Sequence, residues 1–327
     1  MRRAAVNRPT IALTAVAAAS ALLLTGCGTT EDTGAEAAEG AAITIVDDRG
    51  ETIELAAPAE DVVALEWNAA ENLVALGLMP VGVADVEGYT TWVKSEELDD
   101  TVTDVGTRGE PSIDAIAGLA PDLVVTTTDL PESAISQIEE FAPVLVVRGA
   151  DASNGIGQME QNLEHIATAT GREAEATELV TAFEQKLADG AAAIEAAGLG
   201  GAEFAMSDAW ASGGQVSVRP FARGSLLSDV TEQLGLVNAW TGEGDADYGL
   251  ASTDVEGLTA LGDVEFLYIA SIEQDPYTNE LAGNAVWQSL PFVQSGKVHR
   301  LPDGIWMFGG PSSMNDYIDA VVDTLTA

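Results

Sequence analysis

Short runs of β-branched residues alternate with amphipathic helical patterns along most of the 327-residue chain, and this alternation constrains the fold more than any other feature. In the first half the predicted strands are 43–46, 62–65, 81–84, 123–126 and 144–147, with helical patterns such as 69–76 and 133–141 between them. In the second half the predicted strands are 203–206, 216–218, 266–270 and 298–301, with helical patterns at 226–234 and 314–325. This rhythm favours an α/β fold with largely parallel sheets. We predict that each half forms its own αβ lobe.

One long helical pattern, residues 173–197, joins the two halves. Apolar or small side chains recur every three or four residues, at Ala176, Val180, Phe183, Leu187, Ala191 and Ile194. Such a stripe is typical of an amphipathic helix, which would be about 37 Å long. Gly190 disfavours this helix by about 1 kcal/mol relative to alanine. We predict a single linking helix over 173–198, an N-terminal lobe over 42–172 and a C-terminal lobe over 199–327.

The N-terminal segment carries the only cysteine of the chain, Cys27. Three arginines precede an apolar run, 11–24, and residues 24–27 (LTGC) have the small-residue form of an export cleavage site. This segment resembles a bacterial lipobox, in which the cysteine becomes the first mature residue and carries lipid. We predict a signal peptide over 1–26, lipidation of Cys27 and a location on the extracytoplasmic face of the cell membrane. The alternatives are an ordinary signal peptide with an accidental cysteine, or a membrane anchor, for which about 20 residues would be needed.

Composition limits the partners of the mature chain. Cleavage after residue 26 removes three of the 13 basic residues and none of the 53 acidic ones, which leaves a formal charge of −43. Such a surface repels nucleic acid and anionic lipid, so we expect no nucleic-acid partner and membrane contact through the anchor alone. Residues 27–41 are small and acidic, which predicts a disordered tether. With one cysteine no internal disulfide can form, and the length of the chain favours two lobes.

Two segments share one pattern, 112–119 (SIDAIAGL) and 254–261 (DVEGLTAL). Each begins with a helix-capping residue, carries an acid two positions later (Asp114 or Glu256), and leads towards a predicted strand. A capping side chain and an acid in the first turn both stabilise a helix N-terminus. Helix capping therefore explains the local pattern by itself.

Almost the whole mature chain resembles the ABC-transporter solute-binding proteins that capture ferric siderophores, haem or cobalamin. The resemblance rests on the order and spacing of the lipobox, 62–67 (VVALEW), 71–83 (ENLVALGLMPVGV), 105–106 with 111–112, 120–124 (APDLV), the linking helix, 286–291 (VWQSLP) and 296–298 (GKV). It implies a class III solute-binding protein: two αβ lobes joined by a single long helix, a shallow ligand cleft between the lobes, modest closure and a monomeric state.

The resemblance gives Asp114 and Glu256 a second role. In this family one acid on each lobe docks onto an arginine of the membrane permease. The family usually has glutamate at both positions, so Asp114 departs from the pattern by one methylene. The shorter side chain would weaken that contact or need assistance from Glu110.

Three arginines near predicted strand ends, Arg108, Arg219 and Arg223, are the first candidates for the ligand site. Loops beyond the carboxyl ends of strands form the ligand crevice of αβ lobes. A guanidinium offers a fixed fork of donors for carboxylate, hydroxamate or catecholate oxygens. For any one of the three, the alternative is a surface cation paired with one of the 53 acids.

Aromatic side chains are the second group of candidates, because large flat rings suit an apolar chelate. We predict that Trp67 and Trp306 hold the ligand. The further candidates are Trp210, Tyr248, and two residues in a predicted loop, Tyr89 and Trp92. Trp240 and Trp287 are assigned to packing.

Other classes of protein fit less well. A bare-metal receptor needs several converging histidine and carboxylate ligands, whereas the chain has two histidines, His165 in a helical pattern and His299 in a predicted strand. A hydrolase would need a nucleophile beside a base, and no Gly-x-Ser-x-Gly sequence is present. Residues 155–157 (GIG) lack the third glycine of a dinucleotide fingerprint, and the chain has no strand-rich repeats typical of an adhesin.

We therefore expect a binding lipoprotein, neither an enzyme nor the holder of its own cofactor, that delivers a ferric siderophore to an ABC permease and its ATPase. Iron would be bound only as part of the ligand. The net charge of −43 repels an anionic ferric catecholate at long range, although screening over about 8 Å lets a local arginine cluster override the global field. A neutral or cationic ferric hydroxamate meets no such conflict, so hydroxamate or mixed siderophores are slightly favoured. Haem or cobalamin on the same scaffold is the alternative.

Overall fold

The computed structural model describes residues 42–271 and 274–327; the predicted signal peptide, Cys27 and the tether lie outside these residues. The elements of the first half are, in chain order, β1 Ile43–Val46, β2 Thr52–Leu55, β3 Val62–Ala64, α1 Trp67–Ala75, β4 Gly82–Val83, α2 Val86–Trp92, β5 Thr103–Asp104, α3 Ile113–Leu119, β6 Leu123–Thr127, α4 Glu132–Ile138, β7 Val144–Val147 and α5 Gly155–Thr170. Those of the second half are α6 Glu173–Ala196, β8 Glu203–Ser212, β9 Gln215–Pro220, α7 Leu226–Gln233, β10 Val237–Asn238, β11 Glu265–Tyr268, α8 Ala285–Ser289, α9 Pro291–Gln294, β12 Val298–Arg300 and α10 Pro311–Thr326.

The first lobe is built on a five-stranded parallel sheet with the order β5-β4-β3-β6-β7. Its strands β3, β6 and β7 are buried along their whole length. Strands that are buried on both faces have continuous apolar runs in their sequence, and such runs predicted these three strands. Because the strands are parallel, the carboxyl ends of β3 and β6 lie at the same edge of the sheet. Residues that follow these two strands line the candidate site.

The second lobe has the order β10-β8-β11-β12, all parallel, with β9 paired to β8. This last pair is antiparallel, since β8 continues beyond the sheet and turns back at Gly213 and Gly214, both with positive φ. The sequence predicted the α/β class and the parallel sheets correctly. It predicted only the first four residues of β8 and did not predict the hairpin.

The predicted linking helix is α6, Glu173–Ala196. Gly190, which counted against this helix in the sequence, is buried where α7 and α10 approach. A Cβ at this position would lie 2.7 Å from Leu234 Cδ2 and 3.0 Å from Ile318 Cγ2. The glycine costs helix propensity but allows close packing between helices. None of the helices within 42–271 and 274–327 combines the length and the apolar character that a membrane span requires.

Two side chains tie the second half of the chain to the first lobe. Trp306, in the loop before α10, packs in the same core cluster as Trp67 and the β3 strand. Glu71 of α1 is fully buried and accepts hydrogen bonds from the backbone N–H groups of Gly310 (3.1 Å) and Ser313 (2.6 Å) at the start of α10. Burial raises the pKa of Glu71 to about 7, although these two hydrogen bonds oppose the rise. The lobe boundaries at 172 and 199 stay a prediction.

The two similar acidic motifs fold differently. The segment after Ser112 forms α3 as predicted, and Ser112 Oγ accepts from the N–H of Ala115. The second segment forms only a 3-10 turn, Gly257–Ala260, instead of the predicted helix. Asp254 nevertheless acts as the predicted cap, since its carboxylate accepts from the N–H of Gly257 at 3.0 Å.

Candidate functional site

A cavity of about 520 Å³ lies between the lobes, at the carboxyl ends of β3 and β6. The first lobe contributes Glu66 after β3, Arg108 after β5, and Thr127 and Asp129 at the end of β6. The second lobe lines the opposite wall with Arg219, Tyr248, Leu250, Trp306 and Phe308. This volume and the mixture of aromatic and polar groups are typical of small-molecule sites.

Arg108 is held in place from two sides. Its Nη1 donates to Glu66 Oε1 at 2.6 Å, and its guanidinium carbon lies 3.9 Å from the centroid of the Trp67 ring and 5.2 Å from that of Trp306. The Trp67 indole is itself fixed, because its Nε1–H donates to the carbonyl of Ala84. Stacking of a guanidinium on an indole adds to the ion pair. Arg108 therefore meets the cavity with its charge balanced and most of its N–H donors available.

Arg219 is positioned by strand register. It lies directly opposite Asp208 in the β8–β9 hairpin, so both side chains leave the same face of the ladder. Its Nε and Nη2 donate to the two carboxylate oxygens of Asp208 at 2.9 and 2.5 Å. Burial raises the pKa of Asp208, and the Arg219 charge opposes that rise. The guanidinium also lies 5.4 Å from the Phe308 centroid.

Aromatic rings form a continuous wall across the cavity. The centroids of Trp306 and Phe308 are 5.1 Å apart, and those of Phe308 and Tyr248 are 5.3 Å apart, both edge to face. Trp306 Nε1 and Asn68 Oδ1 are buried and have no hydrogen-bond partner among the described residues. Since buried polar groups are normally paired, this donor and this acceptor can pair with a ligand.

A hydrogen bond joins the lobes at the cavity itself. The Tyr248 hydroxyl donates to Asp129 Oδ2. Burial, followed by the hydrogen bond and charge of Asp129, raises the pKa of Tyr248 well above its usual range, so the hydroxyl keeps its proton at neutral pH. Gly149 lies against this pair, and a Cβ there would be 2.1 Å from the Tyr248 oxygen.

The structure brings together four of the residues predicted for the ligand site: Arg108, Arg219, Trp306 and Tyr248. The Trp67 ring stacks against the Arg108 guanidinium but does not itself line the cavity. Trp210 is 42% exposed on the β8–β9 hairpin, 5.8 Å from the Arg219 guanidinium and outside the lining.

Three further predicted residues, Arg223, Tyr89 and Trp92, do not line the cavity. Arg223 points away from it, donating to the carbonyl of Asn238 with Glu232 3.9 Å away. Tyr89 and Trp92 belong to α2, where a loop was predicted. Tyr89 is fully buried and donates to the carbonyl of Glu96, while Trp92 packs against the cores of both lobes. The sequence placed these residues by nearness to strand ends, which does not fix the direction of a side chain.

The sequence analysis missed ten lining residues, among them Glu66, Asn68, Asp129, Leu250 and Phe308. A signal was present for two of them. Glu66 and Asp129 lie two residues beyond the ends of β3 and β6, and the rule that was applied to the arginines, that ligand loops follow strand ends, covers acids equally.

Two other surface features bear on function. Asp114 and Glu256 are exposed, one in the first turn of α3 and one at the start of the 3-10 turn. A larger open hollow of about 760 Å³ is lined by residues of the first lobe alone, including Arg49, Glu139 and Phe141. Within the described residues no group of three or more histidine, cysteine, aspartate or glutamate side chains is placed to hold a metal ion.

Two αβ lobes, a single linking helix and a polar and aromatic cleft between the lobes together define a class III solute-binding protein. The family model for periplasmic binding proteins matches residues 62–304. The chain belongs to this family.

The similar proteins cover most of the chain. The iron(3+)-hydroxamate-binding protein FhuD of Escherichia coli K12 is 29% identical over 262 residues, which are 79% of this chain and 84% of that protein. The putative ABC transporter substrate-binding lipoprotein YhfQ of Bacillus subtilis 168 is 26% identical over 258 residues, 75% and 76% of the two chains. The crystal structure of FhuD from Vibrio cholerae with Fe³⁺-Desferal has a TM-score of 0.73 at 25% identity, covering 82% of this chain and 98% of that one.

Proposed function

We propose that this protein is the extracytoplasmic substrate-binding component of an ABC importer and that its cargo is a ferric siderophore, with hydroxamate ligands to the iron. The observation that carries the proposal is the pair of arginines from opposite lobes, Arg108 and Arg219, which face one cavity of about 520 Å³. The names of the similar proteins, which include hydroxamate-binding proteins, support the same class of cargo.

The electrostatics of the arginines favour hydroxamate oxygens. Arg108 is paired with Glu66 and Arg219 with Asp208, so each cationic charge is already balanced. Each guanidinium retains N–H groups that donate to none of these carboxylate oxygens. Donors without excess positive charge suit the iron-bound oxygens of a neutral ferric hydroxamate better than the anionic oxygens of a ferric catecholate.

The aromatic wall provides the apolar contact. Trp306, Phe308 and Tyr248 present a continuous surface to the alkyl chains of a siderophore, and the unpaired Trp306 N–H adds one donor. Iron enters as part of the chelate, and the protein acts by binding and release, without a catalytic step or a cofactor of its own.

Delivery requires contact with the permease. Asp114 and Glu256 are exposed on different lobes and occupy similar helix-start positions. We place the permease contact there and the ATPase on the far side of the membrane. Lipidation of Cys27, followed by the acidic tether, would keep the monomer at the membrane, and the lipoprotein name of one relative supports this.

Tryptophan fluorescence of the full-length protein tests the cargo, because Trp306 borders the cavity and Trp67 lies behind Arg108. Titration with a neutral ferric hydroxamate should quench the emission to saturation, and chelated ferric ion without siderophore should not. Haem and cobalamin are titrated in parallel. Saturable quenching by haem or cobalamin, with none from hydroxamate, catecholate or citrate complexes, would refute a siderophore cargo.

A further inference from the structure

The charged groups around the cavity do not sum to zero. Arg108 and Glu66 balance each other, as do Arg219 and Asp208. Asp129, which lines the cavity together with Glu66, is a third carboxylate and has no arginine partner among the described residues. Two guanidinium groups against three carboxylates give the empty cleft a local charge of about −1, in a protein whose whole surface is strongly acidic.

Asp129 differs from the other two acids in its partners. Its Oδ2 accepts from the Tyr248 hydroxyl and from Thr127 Oγ1 at 3.2 Å, both neutral donors. In the part of the chain that the structure describes, no ion pair to Asp129 is formed and its Oδ1 accepts no hydrogen bond. The carboxylate is exposed towards the cleft. One oxygen is therefore fixed by the protein, and the other is presented to whatever fills the cavity.

We propose that Asp129 is a specificity residue that accepts a cationic group of the cargo, and that the preferred ligand is a ferric hydroxamate with a pendant ammonium. This inference rests on the proposed function, since it assigns the charge of the cargo in that same site. The Tyr248 hydroxyl contacts Oδ2 from the opposite lobe, and Gly149 leaves the space that this contact needs, whereas the charge that attracts the cargo belongs to Asp129 alone. The two balanced arginines would bind the iron-bound oxygens, while Asp129 binds the positive end.

The test compares two ligands that share one iron centre. Ferrioxamine B ends in an ammonium group, and N-acetylated ferrioxamine B carries no charge at that end. Dissociation constants are measured for the full-length protein by fluorescence at about 10 mM salt, where charges act over about 30 Å, and at about 1 M salt, where they act over about 3 Å. We expect the cationic ligand to bind about fivefold more tightly at low salt, equivalent to about 1 kcal/mol, and the ratio to approach one at high salt.

Three variants isolate the charge of Asp129. In Asp129→Asn the ratio should fall below about twofold at both salt concentrations. In Asp100→Asn, the same charge change at an exposed position outside the cavity lining, the ratio should match the wild type. Tyr248→Phe removes the hydrogen bond between lobes but keeps the carboxylate, so both constants can change while the ratio persists.

The outcomes separate the two proposals. If neither ferric hydroxamate binds, the proposed function is wrong. If both bind and the wild type shows no preference, or if Asp129→Asn retains the full preference, the function stands and the role of Asp129 is overturned. Loss of the preference in Tyr248→Phe would assign the effect to the contact between lobes and would also overturn it.

Discussion

Arg108 and Arg219 are fixed before any ligand arrives, and this affects the binding energy at the scale of single residues. A free arginine loses up to about 2 kcal/mol of side-chain entropy when it is ordered. Here the ion pair with Glu66 and the stacking on Trp67 order Arg108, and the two hydrogen bonds to Asp208 order Arg219. In the proposed site, a ligand would therefore meet donors whose ordering has already been offset by contacts within the protein.

Removal of one fixed donor should be costly. Arg219→Ala should weaken binding of a ferric hydroxamate by more than about tenfold, or about 1.4 kcal/mol, because it removes the donors and leaves the largely buried Asp208 unpaired. Arg223→Ala is the matched control, because this arginine points away from the cavity. The affinity of this variant for the same ligand should stay within about twofold of the wild-type value. Equal losses in the two variants, measured by titration, would contradict the assignment of Arg219.

At the scale of the elements, α6 depends on the absence of a side chain at Gly190. Gly190→Leu should lower the free energy of unfolding by about 1–3 kcal/mol, because the new side chain would overlap Leu234 and Ile318. Ala192→Leu, an exposed position on the same helix, should change it by less than about 0.5 kcal/mol. Urea denaturation followed by circular dichroism measures both. A Gly190→Leu protein as stable as wild type would show that the three helices can move apart without cost.

Long buried strands and long amphipathic helices were predictable, and short elements were not. β6, β7 and α6 carry continuous apolar runs or a repeating stripe. β5 and β10 have two residues each, too few to show a period, and α2 is preceded by its capping residue Asp85, whose φ of 58° lies in the left-handed region. These elements are held by neighbouring strands and loops and not by their own pattern.

The position of the cleft could be predicted from the sequence, but most of the side chains that line it could not. Strand ends located Arg108 and Arg219, and they would also have located Glu66 and Asp129. The pairing of Asp208 with Arg219 needed the register of a hairpin that the sequence did not reveal. Leu250 and Phe308 come from loops far apart in the chain, which only the tertiary fold brings to the same wall.

At the scale of the whole molecule, Asp114 and Glu256 should matter for transport and not for binding. Charge reversal of both to lysine should abolish most siderophore uptake by cells and leave the dissociation constant within about twofold. The double change is needed because one exposed ion pair contributes less than about 1 kcal/mol. Reversal of Asp100 and Glu175, two exposed acids, controls for the change in total charge. Normal uptake by the double variant would exclude this docking site.

Glu71 should make the stability of the molecule depend on pH. Its pKa is about 7 in the folded protein, against about 4.3 in an unfolded chain. The folded state therefore holds an extra proton between these values, and its stabilising effect, present below about pH 4, is lost as the pH rises through 7. Over that window the contribution of Glu71 to the free energy of unfolding should fall by about 4 kcal/mol.

Glu71→Gln has no such proton to lose. In urea denaturation its stability relative to wild type should rise steadily from pH 5 to about pH 7 and level off above that pH. For the control Glu175→Gln, at an exposed position on α6, the curve of unfolding free energy against pH should run parallel to that of wild type. A Glu71→Gln curve that also runs parallel to wild type would mean that Glu71 is not buried as a carboxyl group between α1 and α10.

The contact between Glu71 and the start of α10 should also limit how the two lobes can move. Parting the lobes would uncover the Glu71 carboxyl group and break its two backbone hydrogen bonds to the start of α10. These contacts should therefore resist separation of the lobes. Under the proposed function, release of the cargo would then need work done on the lobes by the membrane permease.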